Sequence, residues 1–245
     1  KAIMAVQING RCCDMDKLIK ISQKYNLFLI EDAAQAFGAK FNDKNAGTFG
    51  EFGTFSFYPA KLLGCFGDGG AVVTNNNKLA HKLRLLRDHG RNDEGEVIEW
   101  GFNSRLDNLQ AAILNKKLEK FDIDISRRRE IALRYDSQLG MLEDIKLPPS
   151  PKNNHKYFDV FQNYEIVAKE RDRLKQFLED EGIKTIIQWA GKPVHGFREL
   201  GFQNINLPKT DIFFQNCLML PMNVTISNDD VDYISSKIKL FYQNA

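Results

Sequence analysis

Two stretches of the chain put charge where an apolar core would reject it, and both follow a strand-forming run. In FSFYPAKLLGCFGDGG, Phe55 to Gly70, the strand pattern is broken by Pro59, and Lys61 then stands among apolar neighbours ahead of a glycine-rich segment. In LFLIEDAAQAFGA, Glu31 and Asp32 come directly after an apolar run, with Gln35 three residues on from Asp32. A carboxylate at the mouth of a buried strand needs a partner, because burying it alone is costly. A lysine held in an apolar pocket loses part of its preference for charge, so its pKa falls and it becomes a usable nucleophile. Such a lysine, with a carboxylate at a neighbouring strand end, is what pyridoxal 5'-phosphate chemistry requires. The lysine forms a Schiff base, and the acid keeps the ring nitrogen protonated so that the ring acts as an electron sink. Ser56, five residues before Lys61, is a candidate for the cofactor phosphate, and Gly64, Gly67, Gly69 and Gly70 let the chain turn tightly beside it. Singly, each residue also has a plain reading: a turn cap for Asp32, a solvated turn lysine for Lys61.

The elements that must position these residues follow from the hydrophobic pattern. Ala2–Ile8 reads as a strand, Asn9-Gly10 as a turn, and Asp14 as the cap of a helix carrying Met15, Leu18, Ile19 and Ile21 at helical spacing. Leu27–Ile30 is a continuous apolar run, the pattern of a strand covered on both faces. Strand, helix and strand at this spacing form a βαβ unit, and hence an α/β domain with parallel pairing. Ligands of such sheets bind outside the carboxyl ends of the strands, which is where both charged stretches begin. Further strands are expected near Thr54–Phe57 and Ala71–Thr74, with a helix over Asn77–His89. A long helical stretch, Ser104–Leu139, is expected to bend near Ile123 and Ile125. Pro148, Pro149 and Pro151 break the pattern. Beyond them, Tyr157–Val167, a helix over Arg171–Glu181, a strand over Lys184–Gln188 and a last helix over Asn228–Tyr242 read as a smaller α+β domain.

Composition bounds the function. The 245 residues are 43% hydrophobic and 27% charged, an ordinary globular balance. The 34 basic and 32 acidic residues leave a net charge of +2, too small for a nucleic-acid or anionic-membrane footprint. No apolar run approaches the ~20 residues that span a bilayer. KAIMAVQING lacks the sections of a secretory signal and reads as a strand in mid-protein, so a fragment is expected. Cys12, Cys13, Cys65 and Cys217 form no C-x-x-C pair and are expected as free thiols in a reducing cytoplasm. Neither they nor His81, His89, His155 and His195 have metal-type spacing, so no metal is assigned. Arg87, His89 and Arg91 could meet a diphosphate, but they also suit a helix C-terminus followed by a glycine cap. No G-x-G-x-x-G follows a strand, which sets aside a nicotinamide-dependent oxidoreductase.

The stretches IEDAAQAFGA, FSFYPAKLLGCFGDGGAVVT and WGFNSRLDNLQAAIL resemble the sugar aminotransferases of the DegT/DnrJ/EryC1/StrS family, of the fold-type I pyridoxal phosphate enzymes. The resemblance runs through essentially the whole chain. It implies residues 1–121 as the C-terminal part of the cofactor-binding large domain, with a mostly parallel sheet flanked by helices, and 122–245 as a small C-terminal α+β domain. By position, Lys61 is similar to the internal-aldimine lysine, Asp32 to the acid on the pyridine nitrogen, Gln35 to the glutamine beside the ring and its phenolic oxygen, and Ser56 to the serine on the phosphate. Asn103 resembles an asparagine that reaches the phosphate in the neighbouring subunit's site, which implies a homodimer with shared sites; alternatively or additionally it N-caps the long helix. The implied reaction is a ping-pong transamination from L-glutamate to a nucleotide-diphospho-keto-sugar, supplying amino sugars for polysaccharide or glycoconjugates. Lys61 argues against the family's dehydratases, which carry histidine there. Many members have His-Tyr-Pro where this chain has Gln188-Trp189-Ala190, and this version leans toward transaminases of dTDP-linked 3-keto-6-deoxyhexoses. Trp189 and His195 are candidates for sugar or nucleotide contact, against structural roles for both. By the same resemblance, roughly the family's N-terminal third is expected to be absent from this sequence, and with it part of the phosphate loop. The competing reading is a non-catalytic paralogue or fragment serving as a dimerisation or regulatory module, against which the retention of Lys61, Asp32, Gln35 and Ser56 weighs.

Overall fold

The first βαβ unit forms as the pattern requires: strand β1 (Ala2–Val6), helix α1 (Met15–Tyr25) and strand β2 (Phe28–Asp32). The computed structural model describes residues 1–152, 156–202 and 205–243, so His155 lies outside the described residues. The chain continues through strands β3 (Lys40–Phe41), β4 (Lys44–Asn45), β5 (Phe52–Ser56) and β6 (Gly70–Val73), then helices α2 (Asn77–Arg87), α3 (Asn108–Leu118) and α4 (Phe121–Leu139). Strands β7 (Ile145–Lys146), β8 (Tyr157–Phe158) and β9 (Tyr164–Ala168) follow, then helices α5 (Arg171–Asp180) and α6 (Pro208–Asn216), strand β10 (Cys217–Leu220) and helix α7 (Asn228–Gln243). There are two compact units, Lys1–Ser126 with Asn154–Gln162, and Arg127–Asn153 with Asn163–Ala245. Among the described residues no helix is long and apolar enough to cross a membrane.

The first unit is built on a four-stranded sheet ordered β1-β2-β5-β6. The β1–β2 and β2–β5 pairs are parallel and β5–β6 is antiparallel. Helix α1 makes the crossover: Asp14 caps it by accepting from the Lys17 amide, and Asn26 ends it in the left-handed conformation at φ 49°. The cover on both faces expected for β2 is not what forms. Its side chains alternate, Leu29 and Glu31 buried, Phe28 63% exposed, Ile30 and Asp32 half-buried. Behind the covered face lies a core of Met15, Leu29, Phe41, Phe121, Ile125 and Val160. Phe37 is edge-on to Phe55 and Phe121 at 5.3 and 5.2 Å.

Glu31 is wholly buried and, among the described residues, has no cationic partner and is satisfied by N–H groups alone. Its Oε2 accepts from Gln7 Nε2 and the Gly47 amide, each at 2.8 Å, and its Oε1 from the amides of Phe49 (2.6 Å) and Gly50 (3.2 Å). One carboxylate thereby ties the end of β1 and the loop before β5 to the middle strand. Gln7, also fully buried, completes the tie by accepting from the Cys13 amide at 2.6 Å.

The second unit carries an antiparallel sheet ordered β10-β9-β7. Leu174 and Leu178 of α5 and Val231, Ile234 and Ile238 of α7 are buried in it. Tyr135 stacks on Tyr164 with centroids 4.9 Å apart and donates its hydroxyl to Pro221 O at 2.9 Å. The apolar run CLML is strand β10, with Cys217, Leu218 and Leu220 buried. The strand expected over Lys184–Gln188 reduces to a single bridge, Ile186 to Met219, and residues 189–191 turn away in left-handed geometry. The long helix breaks at Glu119–Lys120, a few residues before the expected bend, and starts at Asn108 rather than Ser104.

Two outcomes follow. Glu31→Ala removes the acceptor of four buried or partly buried N–H groups and is expected to destabilise the fold by about 3 kcal/mol, read as a lower denaturant midpoint at unchanged slope. Burial, with Glu31 and Asp159 nearby, pushes the Cys12 thiol up to about 12, so Cys12 stays protonated at pH 8. Iodoacetamide at that pH is expected to spare Cys12 in the folded chain and alkylate it in denaturant, as peptide mapping would show.

Candidate active site

The residues singled out by chemistry gather at the carboxyl ends of two adjacent parallel strands. Asp32 is the last residue of β2 and lies opposite Thr54 of β5; Ser56 ends β5 two residues further on. Strand alternation turns Asp32 away from the face on which Glu31 is consumed. The Asp32 carboxylate accepts at Oδ1 from the Ala34 amide (3.1 Å), so the turn-cap reading holds, and its Oδ2 has no hydrogen-bond partner among the described residues. Gln35 Oε1 accepts from the Asn9 amide at 2.8 Å, fixing the turn after β1, where Asn9 has φ 56°. Ser56 Oγ accepts from the Tyr58 amide at 3.3 Å, which leaves its own proton to donate.

Lys61 sits in an irregular loop that is held by its backbone. Its amide donates to Tyr58 O at 2.9 Å. Gln162 donates from Nε2 to Ala60 O and accepts at Oε1 from the Leu62 amide, both at 2.9 Å. Gly64 closes the turn: a Cβ there would lie 2.6 Å from Pro59 O and 2.7 Å from Tyr58 O, so no other residue fits. Further on, Cys65 N donates to Phe57 O (2.8 Å) and Phe57 N to Gly69 O (2.7 Å). Gln110 brackets Phe66 through its amide and carbonyl, and Lys117 Nζ donates to Gly64 O at 2.6 Å. The Lys61 side chain itself is half-buried, and among the described residues its ammonium has neither a hydrogen bond nor an ion pair.

Asn103 stands apart from this group. It bridges to Asp88, accepts from Arg105 Nε at 3.2 Å and is exposed. It does not cap α3, whose N-terminal flank is Asp107. The strand-like pairing of 102–104 with the end of α2 is the reason: Phe102 N donates to Leu86 O (2.6 Å) and Ser104 N to Arg87 O (2.9 Å), using carbonyls the helix end leaves free. Trp189 and His195 belong to the second unit. Trp189 is 70% exposed, not a packed core aromatic, and leads three consecutive left-handed residues with Ala190 and Gly191. His195 is buried, with Nε2 2.9 Å from Asp211 Oδ1, which fastens the 188–200 segment to α6.

The residues missed by sequence reasoning are Gln162, Gln110 and Lys117, 44 to 102 positions from the groups they hold. No local pattern marks a glutamine as a backbone bracket for a loop so far away. The donor set, a carboxylate with a spare oxygen and a hydroxyl with a free proton on neighbouring strand ends and an unpaired ammonium on the loop after β5, fits a phosphorylated pyridine aldehyde in kind: a group each for ring nitrogen, phosphate and aldehyde.

The chain is 38% identical to the "Pleiotropic regulatory protein" of Geobacillus stearothermophilus over all of its length and 66% of that protein's. It is 38% identical to the dTDP-3-amino-3,6-dideoxy-alpha-D-galactopyranose transaminase of Aneurinibacillus thermoaerophilus, covering 98% of this chain and 65% of that one. The crystal structure of S. venezuelae DesV in complex with a ketimine intermediate superposes with a TM-score of 0.92 at 34% identity, over 98% of this chain and 65% of that one. The chain thus spans about two thirds of the length of the relatives it matches, and its mixed, mostly parallel α/β fold is that of these aminotransferases. The family model for DegT/DnrJ/EryC1/StrS aminotransferases matches residues 1–239, and the chain belongs to that family.

Proposed function

We propose that the protein is a pyridoxal phosphate-dependent aminotransferase that moves an amino group from L-glutamate to a nucleotide-linked keto-sugar. The observation that carries this is Lys61: among the described residues its half-buried ammonium is unpaired, on the loop after β5 whose backbone is fixed from both sides, while Asp32 ends β2, the strand paired with β5. When bound, the cofactor supplies an electron sink for the carbon that bears the amino group. Lys61 Nζ carries the cofactor and, once released, moves the proton at that carbon. Asp32, through its unoccupied oxygen, holds the ring nitrogen protonated. Ser56 donates to the phosphate, and Gln35 orients the ring. Asn103, exposed on a separate hairpin, serves the phosphate of a second subunit in a homodimer with shared sites.

Of the possible acceptors, a dTDP-linked 3-keto-6-deoxyhexose is favoured by the likeness to a dTDP-3-amino-sugar transaminase and by Gln188-Trp189-Ala190. The exposed Trp189 offers its ring to the sugar or the base, and His195 lies further along the same segment. Four free cysteines accord with a cytoplasmic enzyme. A second reading, a non-catalytic regulatory module, is favoured by the relative named for pleiotropic regulation. The intact set of Lys61, Asp32, Gln35 and Ser56 supports the enzyme.

The full-length protein with pyridoxal phosphate is expected to show a visible absorption band that L-glutamate bleaches. Borohydride is expected to fix the cofactor on Lys61, located by peptide mapping. Lys61→Ala is expected to lower kcat about 10³-fold. No band, or an adduct on a different lysine, would refute the assignment and leave the regulatory module as the better reading.

A further inference from the structure

The loop bearing Lys61 has no regular secondary structure, yet three hydrogen bonds define the backbone on both sides of that residue. The Lys61 amide is tied to Tyr58 O within the turn. The other two bonds come from one side chain. Gln162 takes the carbonyl of Ala60, which belongs to the peptide unit before the Lys61 Cα, and the amide of Leu62, which belongs to the unit after it. Fixing both peptide units fixes φ and ψ of Lys61, and with them the direction of its Cα–Cβ bond.

A primary amide is suited to this task. It offers an acceptor and a donor side by side in one plane, whereas a carboxylate only accepts and an ammonium only donates. Asparagine has the same head on a shorter stem. Only one orientation of the Gln162 amide satisfies both contacts, since the reverse would face N–H against N–H and oxygen against oxygen. Gln162 is 9% exposed and both of its bonds are partly buried, so water only partly replaces them when they are lost.

Gln162 is itself held. Val160 N donates to Gly10 O at 2.9 Å, and Phe161 adopts a left-handed φ of 50° that turns the chain toward the loop. Gly10 lies so close that a Cβ would sit 2.8 Å from the Gln162 amide nitrogen. Arg11 pairs with Asp159 and lies 3.9 Å over the Tyr157 ring. The bracket on Lys61 is therefore anchored to the turn that follows β1.

We infer that Gln162 is a positioning residue for Lys61, aiming its amine by clamping the two flanking peptides without touching the reacting atoms. The inference rests on Lys61 being the residue that carries the cofactor. It is tested in the full-length protein with Gln162→Met, which keeps the volume and removes both bonds, and with Gln110→Met as a comparison on the same loop. In the cofactor-free protein, the Leu62 amide is expected to exchange with deuterium about tenfold faster in Gln162→Met, the scale of losing ordinary hydrogen bonds. With pyridoxal phosphate added, borohydride trapping at Lys61 is expected to slow about tenfold, while trapping on surface lysines stays unchanged. The value of kcat is expected to fall by a similar factor, with KM for the amino donor shifted less than about twofold. Gln110→Met is expected to alter trapping at Lys61 much less. Should Gln162→Met fail to fold, Gln162→Glu, which keeps only the acceptor, is taken through the same measurements with the same expectations at about half the logarithmic effect. Leu62 exchange and Lys61 trapping both within twofold of wild type would overturn the inference, as would an equal effect from Gln110→Met. Wild-type trapping on a different lysine would instead overturn the reading of Lys61, and Leu62 exchange would still report whether Gln162 holds the loop.

Discussion

The large unit depends on one buried carboxylate. Glu31 has no counter-ion and no exposure, and four N–H groups from β1's exit and the 47–50 loop converge on it. An uncompensated charge at that depth would not be tolerated, and one with four donors is a node that few other arrangements of these segments could satisfy. Because Glu31 is on the middle strand of the parallel set, the same bonds fix the loop that feeds β5 and hence the height at which Ser56 emerges. Strand alternation does the rest. With Glu31 locked on the covered face, Asp32 has to look the other way, onto the opposite face of the sheet.

The loop after β5 poses the opposite problem. It must hold an amine in a definite place while keeping that amine uncommitted. Helix or strand would fix the backbone but would aim the side chain by a periodicity unrelated to the ligand. Here the fixation is done by side chains from elsewhere: Gln162 around Lys61, Lys117 on Gly64 and Gln110 around Phe66. All three act on backbone atoms, so the side chains of the loop stay available. Gly64 allows the tight closure that brings its carbonyl to Lys117.

How much of this can be read from the sequence depends on the range of the interaction. The βαβ unit, Asp14 as cap, the helices over 77–87 and 228–243 and the strand ends bearing Asp32 and Ser56 follow from patterns a few residues long, and they form as those patterns require. The failures are where distant groups compete with local preference. Asn103 has the residue type and position of an N-cap, but residues 102–104 are drawn into pairing with the free carbonyls of α2, and α3 starts later. The run over 184–188 has strand propensity, but the left-handed turn at Trp189 ends its pairing after one bridge. Gln162 is invisible for the same reason: its partners are fixed by tertiary structure, and a glutamine in a strand-like stretch carries no local sign of them.

Glu31 and Asp32 show how satisfaction separates structure from chemistry. They are adjacent carboxylates on one strand, alike in type and in distance from the sheet edge. One has its lone pairs filled by protein and is buried; the other has a single bond from Ala34 and an oxygen to spare. The lysine most suspect by sequence has a fixed backbone and an unpaired head, while Lys117, on the same loop's far side, spends its ammonium on a carbonyl. Folding alone favours pairing every polar group that becomes half-buried. A carboxylate oxygen and a hydroxyl proton left uncommitted at neighbouring strand ends, with an ammonium left uncommitted on the loop that follows, are the groups to which a ligand would supply partners.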